Sequence, residues 1–564
     1  MMGTRSPQDT LFTADHLYLD FVGRDTLYGY LAQNRRDLFR DADFAALYCA
    51  NNGRTSVPPS LAISILFLRA YEGVSFVEAI DRTKYDLRWK VALGLEMEEV
   101  PLQKSALQEF EAKLVIHDLG EALLKKSIDE ARRAGYLKSR TIRVALDTTP
   151  IVGKGAVKDT YNLLADGIGQ LAGRLADVEG EGIATWAERQ GLSGYFGSSV
   201  KGEAAIDWND TTQREQLLTA IVGDARRLLG MAEAAQAAHP EQAETIAAAA
   251  ALLTRLVVQD VEEKPDGGCQ IKQGTEKDRV VSVTDPEMRH GHKSASKRFN
   301  GHKAAVAVDM ASQLIGGVAV LAGNAGDQEQ ALALVHQTER VMDATVEETV
   351  GDCAYGGGPT RRAFAEDDRV LTAKVPVTSN GECFPKTAFA IDVAKMEVRC
   401  PAGQTTTEYR SAGEGQGGRF QFAAATCQRC PVRAHCVRGQ GPRTISIQAE
   451  EALQQQARAH NQTEAGRESL RDRVVVEHRL ARLVQLGIRE SRYFGRTKTR
   501  LQVVMAAVVA NVSLVAGYCQ RQAEPTVTPS PEASCDVCAT NSGLLGALLV
   551  VLARLFAHPE PAWA

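Results

Sequence analysis

The sequence predicts an α/β fold built on a mixed sheet. A helical amino-terminal domain precedes this core, which is interrupted by a helical insertion after its first strand and by a cysteine-containing insertion before its last helices. Three observations carry this reading. Residues 56–138 repeat apolar side chains at helical spacing, β-branched runs alternate with helical ones between residues 141 and 378, and an Ala-rich helical stretch separates the first such strand from the others.

At about 100–200 residues per domain, 564 residues suit three or four. The expected division is a helical region at 1–139, core segments at 140–165, 276–378 and 446–522, the helical insertion at 166–275, the cysteine-containing insertion at 379–445, and a linker with a short apolar tail at 523–564. Apolar residues make up 44% and charged residues 24%, ordinary for a soluble globular protein. The net charge of −5 announces no polyanion partner, so any nucleic-acid surface must be local. Local charge is uneven: "RHGHKSASKRFNGHK", Arg289 to Lys303, holds five Lys or Arg, three His and no acid, and Arg467 to Arg500 holds ten Lys or Arg against four acids. Either segment suits phosphates or a solvated basic face.

The start "MMGTRSPQDTLFTADHLYLDF" lacks a basic segment followed by an apolar run, so a cytoplasmic protein is expected. Its eleven cysteines are then reduced or metal-bound. The apolar run Leu544 to Phe556, thirteen residues with an Arg inside, is short of the ~20 that span a bilayer, and no membrane partner is expected.

Along the chain, "PPSLAISILFLRAYEG" is a helix with Pro59 in its first turn, ended by Gly73, and Ser75 caps the next. The pair has the shape of a helix-turn-helix or of an ordinary helical hairpin. "TIRVALDTTPIVG", Thr141 to Gly153, is a strand carrying Asp147, and an acid in a buried strand must be paired, protonated or metal-bound. "GHKAAVAVDM" and "LIGGVAVLAG" are strands expected to pair with it. The helix "DQEQALALVHQTERVMD", the strand "EETVGDCAY", a helix at "GPTRRAFAEDD" and the strand "RVLTAKVP" follow.

Asp352 falls at the carboxyl end of its strand, where open α/β sheets place their chemistry. If the strands of Asp147 and Asp352 are neighbours, two carboxylates converge, as hard divalent cations require; strand-end acids also serve merely as turn formers. Further on, Glu477 follows Arg473 by four residues, on one face of an Arg-rich helix. Cys400, Cys427, Cys430 and Cys436 have a spacing that suits tetrahedral zinc, a reduced thiol cluster or another thiolate-bound centre. His290, His292 and His302, in a basic loop, are expected to meet solvent or phosphate.

Several of these stretches together resemble the DDE transposases of bacterial insertion sequences, the branch with a helical amino-terminal domain and a cysteine cluster before the final Glu. "EGVSFVEAIDRTKYDLRWKVALGL" is similar to that helical domain, "ALDTTPIVGKGAVKDTYNLL" to the first-Asp block and "VGDCAYGG" to the second. "FNGHKAAVAVD" and "LAGNAGDQ", ending in Asp327, are similar to the strands between, and "RVVVEHRLARL" with "RYFGRTKTRLQ" and "AAVVANVSL" to the final block. The resemblance implies an RNase H-like core in which Asp147, Asp352 and Glu477 hold two Mg²⁺ ions and catalyse DNA cleavage and strand transfer at terminal inverted repeats. It implies double-stranded DNA as partner and self-association in the active complex. Candidate DNA contacts are Arg473, Arg482, Arg489, Arg496 and Lys498 in the last block, and Lys293, Lys297 and Arg298 in the basic segment.

The family's final block often carries Tyr three residues before the Arg and Lys seven after the Glu. Leu470 and Val484 stand there instead, and Arg482, Arg489 or Lys498 would supply the missing charge. A catalytically silent DNA-binding regulator, or a nuclease without strand transfer, would share most of these residues.

Overall fold

The computed structural model describes residues 1–6, 10–49, 53–294, 296–376, 380–413 and 415–523. The linker, the apolar run Leu544 to Phe556 and the pair Cys535 and Cys538 lie outside the described residues. The chain divides into two units, Met1–Cys519 and Gln520–Ala564, and the core elements lie in the first.

Among the described residues, seven α-helices come first: α1 (Ala14–Val22), α2 (Leu27–Leu38), α3 (Pro59–Glu72), α4 (Phe76–Tyr85), α5 (Leu87–Leu93), α6 (Lys104–Ile116) and α7 (Gly120–Arg133). Pro59 begins α3, and Gly73, in the left-handed region at φ 73°, ends it. Ser75 then caps α4 in a capping box with Glu78. The two axes meet at 108°, within the range of a helix-turn-helix. Every residue of α3 from Pro59 to Arg69 is buried, so this helix is core.

β1 (Thr141–Val152) follows, and then the helical insertion: α8 (Thr160–Glu179), α9 (Ile183–Arg189), the single turn α10 (Val200–Glu203), α11 (Thr211–Ala238) and α12 (Ala243–Asp260). It closes with a hairpin of β2 (Val261–Glu263) and β3 (Cys269–Ile271) and has its own apolar cluster around Leu171, Trp186, Val222 and Leu253.

The main sheet adds β4 (Arg289–His292), β5 (Arg298–Asp309) and β6 (Ile315–Ala322) and, after helix α13 (Ala331–Met342), β7 (Thr345–Gly351). Helix α14 (Gly358–Glu366) leads to β8 (Leu371–Ala373). Its order is β4-β5-β1-β7-β8, with β6 also paired to β5. β1 runs antiparallel to β5, with Asp147 opposite Val306, and parallel to β7, with Ala145 opposite Val350.

Two expectations change. β6 pairs with β5 and not with β1, because β5 and β7 occupy both edges of β1. The basic segment is not a loop: His290 and His292 stand on β4, a hairpin strand against the start of β5.

Between β8 and the last helices lie β9 (Ala390–Asp392), β10 (Glu397–Arg399), β11 (Thr405–Thr406), β12 (Tyr409–Gly413), β13 (Gly417–Gln421), the short α15 (Ala424–Gln428) and β14 (Thr444–Ile447). They form two small three-stranded sheets around Phe389, Val398, Phe420 and Ile445. α16 (Glu451–Gln462), α17 (Glu464–Asp472), α18 (Val474–Leu483) and α19 (Arg496–Ala523) complete the fold. The Arg496–Gln522 stretch is long and apolar enough to cross a membrane, yet 72% of its apolar window is buried inside the protein, the condition of a core helix. One apolar cluster runs from α2–α7 through the sheet to α18 and α19, so the amino-terminal helices and the sheet share a core.

Candidate active site

Asp147 and the residue after β7 are brought side by side by the parallel register: two residues beyond the Ala145–Val350 pair stand Asp147 on β1 and Asp352 just past Gly351. β1 is apolar and β-branched on either side of Asp147, which fixes that carboxylate on a rigid strand. The Asp352 carboxylate accepts the Ala354 N–H at 2.8 Å and caps a short turn. Glu477 stands on α18, which packs across β1 and β5.

All three acids line one cleft of about 630 Å³, together with Asp327, His292, Lys293, Phe299, Lys303, Arg473 and Arg489. Burial pushes the Asp147 carboxyl above the ordinary aspartate range and the charge of Asp352 pushes it the same way, while the Thr148 N–H and Arg473 pull it back. Beneath them Tyr355 is fully buried with no hydrogen-bond partner on its hydroxyl; burial, then the charges of Asp147, Asp327 and Asp352, hold its phenol protonated well above the usual range.

Arg473 is the cation nearest the acids. Its guanidinium donates to Asp147 Oδ2 at 3.2 Å and to Glu477 Oε1. Lys303 donates to Asp327 at 2.8 Å and to the Ala325 carbonyl at 2.7 Å. Arg489 reaches Thr149 Oγ1 at 3.3 Å and the Pro150 carbonyl at 3.2 Å.

The segment after α18 holds this edge together. Gly487, at φ 89°, breaks the helix in a π turn, and the chain then pairs with the end of β1: Val152 N–H to the Arg489 carbonyl at 2.9 Å, Ser491 N–H to the Val152 carbonyl at 2.8 Å. On its other side, Arg492 donates to the carbonyls of Gly73 at 2.7 Å and Val74 at 3.2 Å, in the turn between α3 and α4.

Of the expected DNA contacts, Arg473, Arg489 and Lys293 line the cleft. Lys297 and Arg298 are exposed at the β4–β5 hairpin, and Lys498 is exposed at the start of α19. Arg482 donates to Gln485 at 3.3 Å, and Arg496 pairs with Glu287 at 3.1 Å in a separate groove with Arg500 and Asp118. Among the histidines, His290 accompanies Asn300 at 2.8 Å and His292 lines the cleft, both exposed. His302 is not solvent-facing: it is fully buried 3.4 Å from Asp285, because β5 is central where His302 sits opposite Ile151.

Phe299, Lys303 and Tyr355 escaped the reading of the sequence, although Lys303 ends the basic run. Asp327, at the end of "GNAGD", lines the cleft although the sequence gives it no role.

Cys400, Cys427, Cys430 and Cys436 line one small cavity of about 30 Å³ with Phe384, Phe422 and Arg443. The Arg443 N–H points at Cys427 Sγ, 3.5 Å away, and burial, with Arg443 opposing and the other three thiols adding to it, raises the Cys436 thiol. Among the described residues, no three His, Cys, Asp or Glu side chains are grouped closely enough to hold a metal ion. In the cleft the donor chemistry nonetheless suits a hard divalent cation, since three carboxylates line it, with a guanidinium joining two of them.

Fold and cleft together define a mixed-sheet α/β protein whose acids sit among phosphate-binding types of side chain. Comparison with protein families then finds two matches: a transposase DDE domain over residues 399–516 and a transposase domain (DUF772) over residues 24–113. The two matches support a DDE transposase of an insertion-sequence type, and the DDE domain indicates an enzyme of the polynucleotidyl transferase class. The first match contains the four cysteines, Arg473 and Glu477, and stops short of Asp147 and Asp352. No curated protein and no solved structure matched the chain.

Proposed function

We propose that this protein is an active transposase that cleaves double-stranded DNA at the terminal inverted repeats of its own element and joins the freed 3′ ends to target DNA. One observation carries the reading: acids from three separate segments, Asp147, Asp352 and Glu477, line a single cleft beside Lys293, Arg473 and Arg489. The strand order, with β1 between antiparallel β5 and parallel β7, supports an RNase H-like core.

In this reading the three acids would hold Mg²⁺, which when bound would lower the pKa of an attacking hydroxyl and stabilise the leaving oxygen. Asp147 is the fixed member, on a strand; Glu477, half exposed on α18, is the adjustable one. Lys293 and Arg489 at the rim bind the DNA backbone. A water oxygen, and later a DNA 3′-hydroxyl, attacks phosphorus and gives its proton to solvent while the opposite P–O3′ bond breaks; the displaced oxygen leaves as a 3′-hydroxyl, first at the end of the element and then on the target strand, whose 5′-phosphate is joined to the element. The domain division is that of the sequence, with a DNA-binding role for the amino-terminal helices, self-association in the working complex and a cytoplasmic location. The test is incubation with Mg²⁺ and a duplex from the DNA flanking its gene: nicks and joined products are expected, binding without products would favour a regulator, and nicks alone a nuclease.

The four cysteines, which line one cavity without being grouped closely enough to hold an ion as they stand, are proposed to close around one structural zinc. Purified protein is expected to hold about one zinc per chain and to lose it in Cys430→Ser, with a lower melting temperature. Purified wild type that holds no zinc, or that keeps its melting temperature when zinc is chelated away, would count against the ion.

A further inference from the structure

Arg473 occupies a place that its role as a DNA contact does not require. It lies at the junction of α17 and α18 in helical conformation, one turn before Glu477, so its side chain runs along the face that Glu477 shares. Its two terminal nitrogens are divided between acids whose sequence positions lie far apart: one on Asp147, 326 residues away, the other on Glu477. Two other cleft cations are engaged differently. Lys303 is held by Asp327 and the Ala325 carbonyl, and Arg489 by Thr149 and the Pro150 carbonyl. Among the described residues, Arg473 is the cleft cation that joins two of the three acids.

A guanidinium there competes with any divalent cation for the same oxygens, and its positive charge repels the ion. It also has a better alternative partner than a lysine would have. The planar fork of an arginine matches a phosphate bidentately, so a DNA backbone entering the cleft can take the guanidinium from the carboxylates with little loss of hydrogen bonding. Glu477, more exposed than Asp147, is free to turn once released.

We propose that Arg473 guards the metal site: it joins Asp147 to Glu477 in the DNA-free protein, opposes divalent-cation binding there, and transfers to a DNA phosphate, so that metal loading follows DNA binding. The proposal rests on the reading of Asp147, Asp352 and Glu477 as the metal-holding acids. Arg473 is thereby a positioning residue for the acids as well as a phosphate contact. The consequence is a protein whose metal site is loaded only once DNA occupies the cleft.

The experiment is Mn²⁺ binding, read by the electron paramagnetic resonance of the free ion, for the full chain with and without a duplex from the DNA flanking its gene. Without DNA, Arg473→Gln is expected to bind Mn²⁺ about tenfold more tightly than wild type, and Arg473→Lys to fall between them. With the duplex, wild type is expected to gain affinity by about tenfold more than Arg473→Gln does, which separates release of the guard from any ligand the DNA itself supplies. Equal Mn²⁺ affinity in wild type and Arg473→Gln, or an equal gain on adding DNA, overturns the proposal. Asp147→Asn placed in both backgrounds distinguishes the deeper failure: if Mn²⁺ affinity ignores that change, the ion is not at these acids, and the site reading falls with the guard. Thermal melting of each variant shows that the comparisons are made on folded protein.

Discussion

Asp352→Asn is expected to lower strand cleavage by about 10³-fold or more while leaving DNA binding unchanged or slightly tighter. The substitution keeps the size of the side chain, and an Asn oxygen still accepts the Ala354 N–H that Asp352 accepts at 2.8 Å, so the turn after β7 is retained. What is lost is a full negative charge in a cleft where several kcal/mol of stabilisation of the reacting phosphate is needed, at about 1.4 kcal/mol per factor of ten. The same loss relieves Asp147, whose carboxyl burial and the Asp352 charge both push up, so the fold should not weaken. The measurement is single-turnover nicking of a terminal-repeat duplex, with binding followed separately by a mobility shift. A variant that cuts within tenfold of wild type would remove Asp352 from the reaction.

How far the sequence reached depends on whether the signal was local. The strand "TIRVALDTTPIV" and the seam at "GDCAYGG" were legible because β-branched runs and glycines mark strand and turn locally, and both acids stand where that reading put them. The cap at Ser75 and the stop at Gly73 were legible for the same reason. The β4–β5 hairpin was not: "RHGH" has no apolar alternation, and it becomes a strand by pairing with the first residues of β5. The burial of His302 was hidden too, since its partner Asp285 lies 17 residues upstream and outside any strand. The bridge from Arg473 to Asp147 spans 326 residues, and nothing in the spacing of Arg473 and Glu477 announces it. A shared core between the amino-terminal helices and the sheet likewise follows from packing, because an amphipathic helix does not say which surface it will cover.

That shared core makes the second large effect a matter of stability as well as activity. Glu111→Ala, in α6, is expected to destabilise the protein by about 3–5 kcal/mol, the cost of breaking a buried ion pair by removing one partner. Glu111 accepts from Arg69 at 3.2 Å and from the Tyr493 hydroxyl at 2.7 Å, and Arg69, buried in α3 with its guanidinium 3.8 Å from the Phe76 ring centre, would be left as an uncompensated cation. Glu111→Gln keeps an oxygen for both donors and should cost less. Burial raises the Glu111 carboxyl above its ordinary value of 4.5, against the pull of Tyr493 and Arg69. The folded protein therefore holds this proton at a pH where the unfolded chain has released it. The associated stability is fully present below the ordinary value and is lost as pH rises through the raised one, a slope that Glu111→Gln should flatten. Urea unfolding across that window measures both effects, provided the m-value is unchanged. Function should follow, because Tyr493 and Arg492 belong to the segment that pairs with Val152 at the end of β1, the strand of Asp147. Loosening the Glu111 end frees that segment, so joining by Glu111→Ala, measured where the variant is still folded, should fall while terminal DNA is still bound; wild-type joining with a lowered unfolding midpoint would show that the cluster serves stability alone.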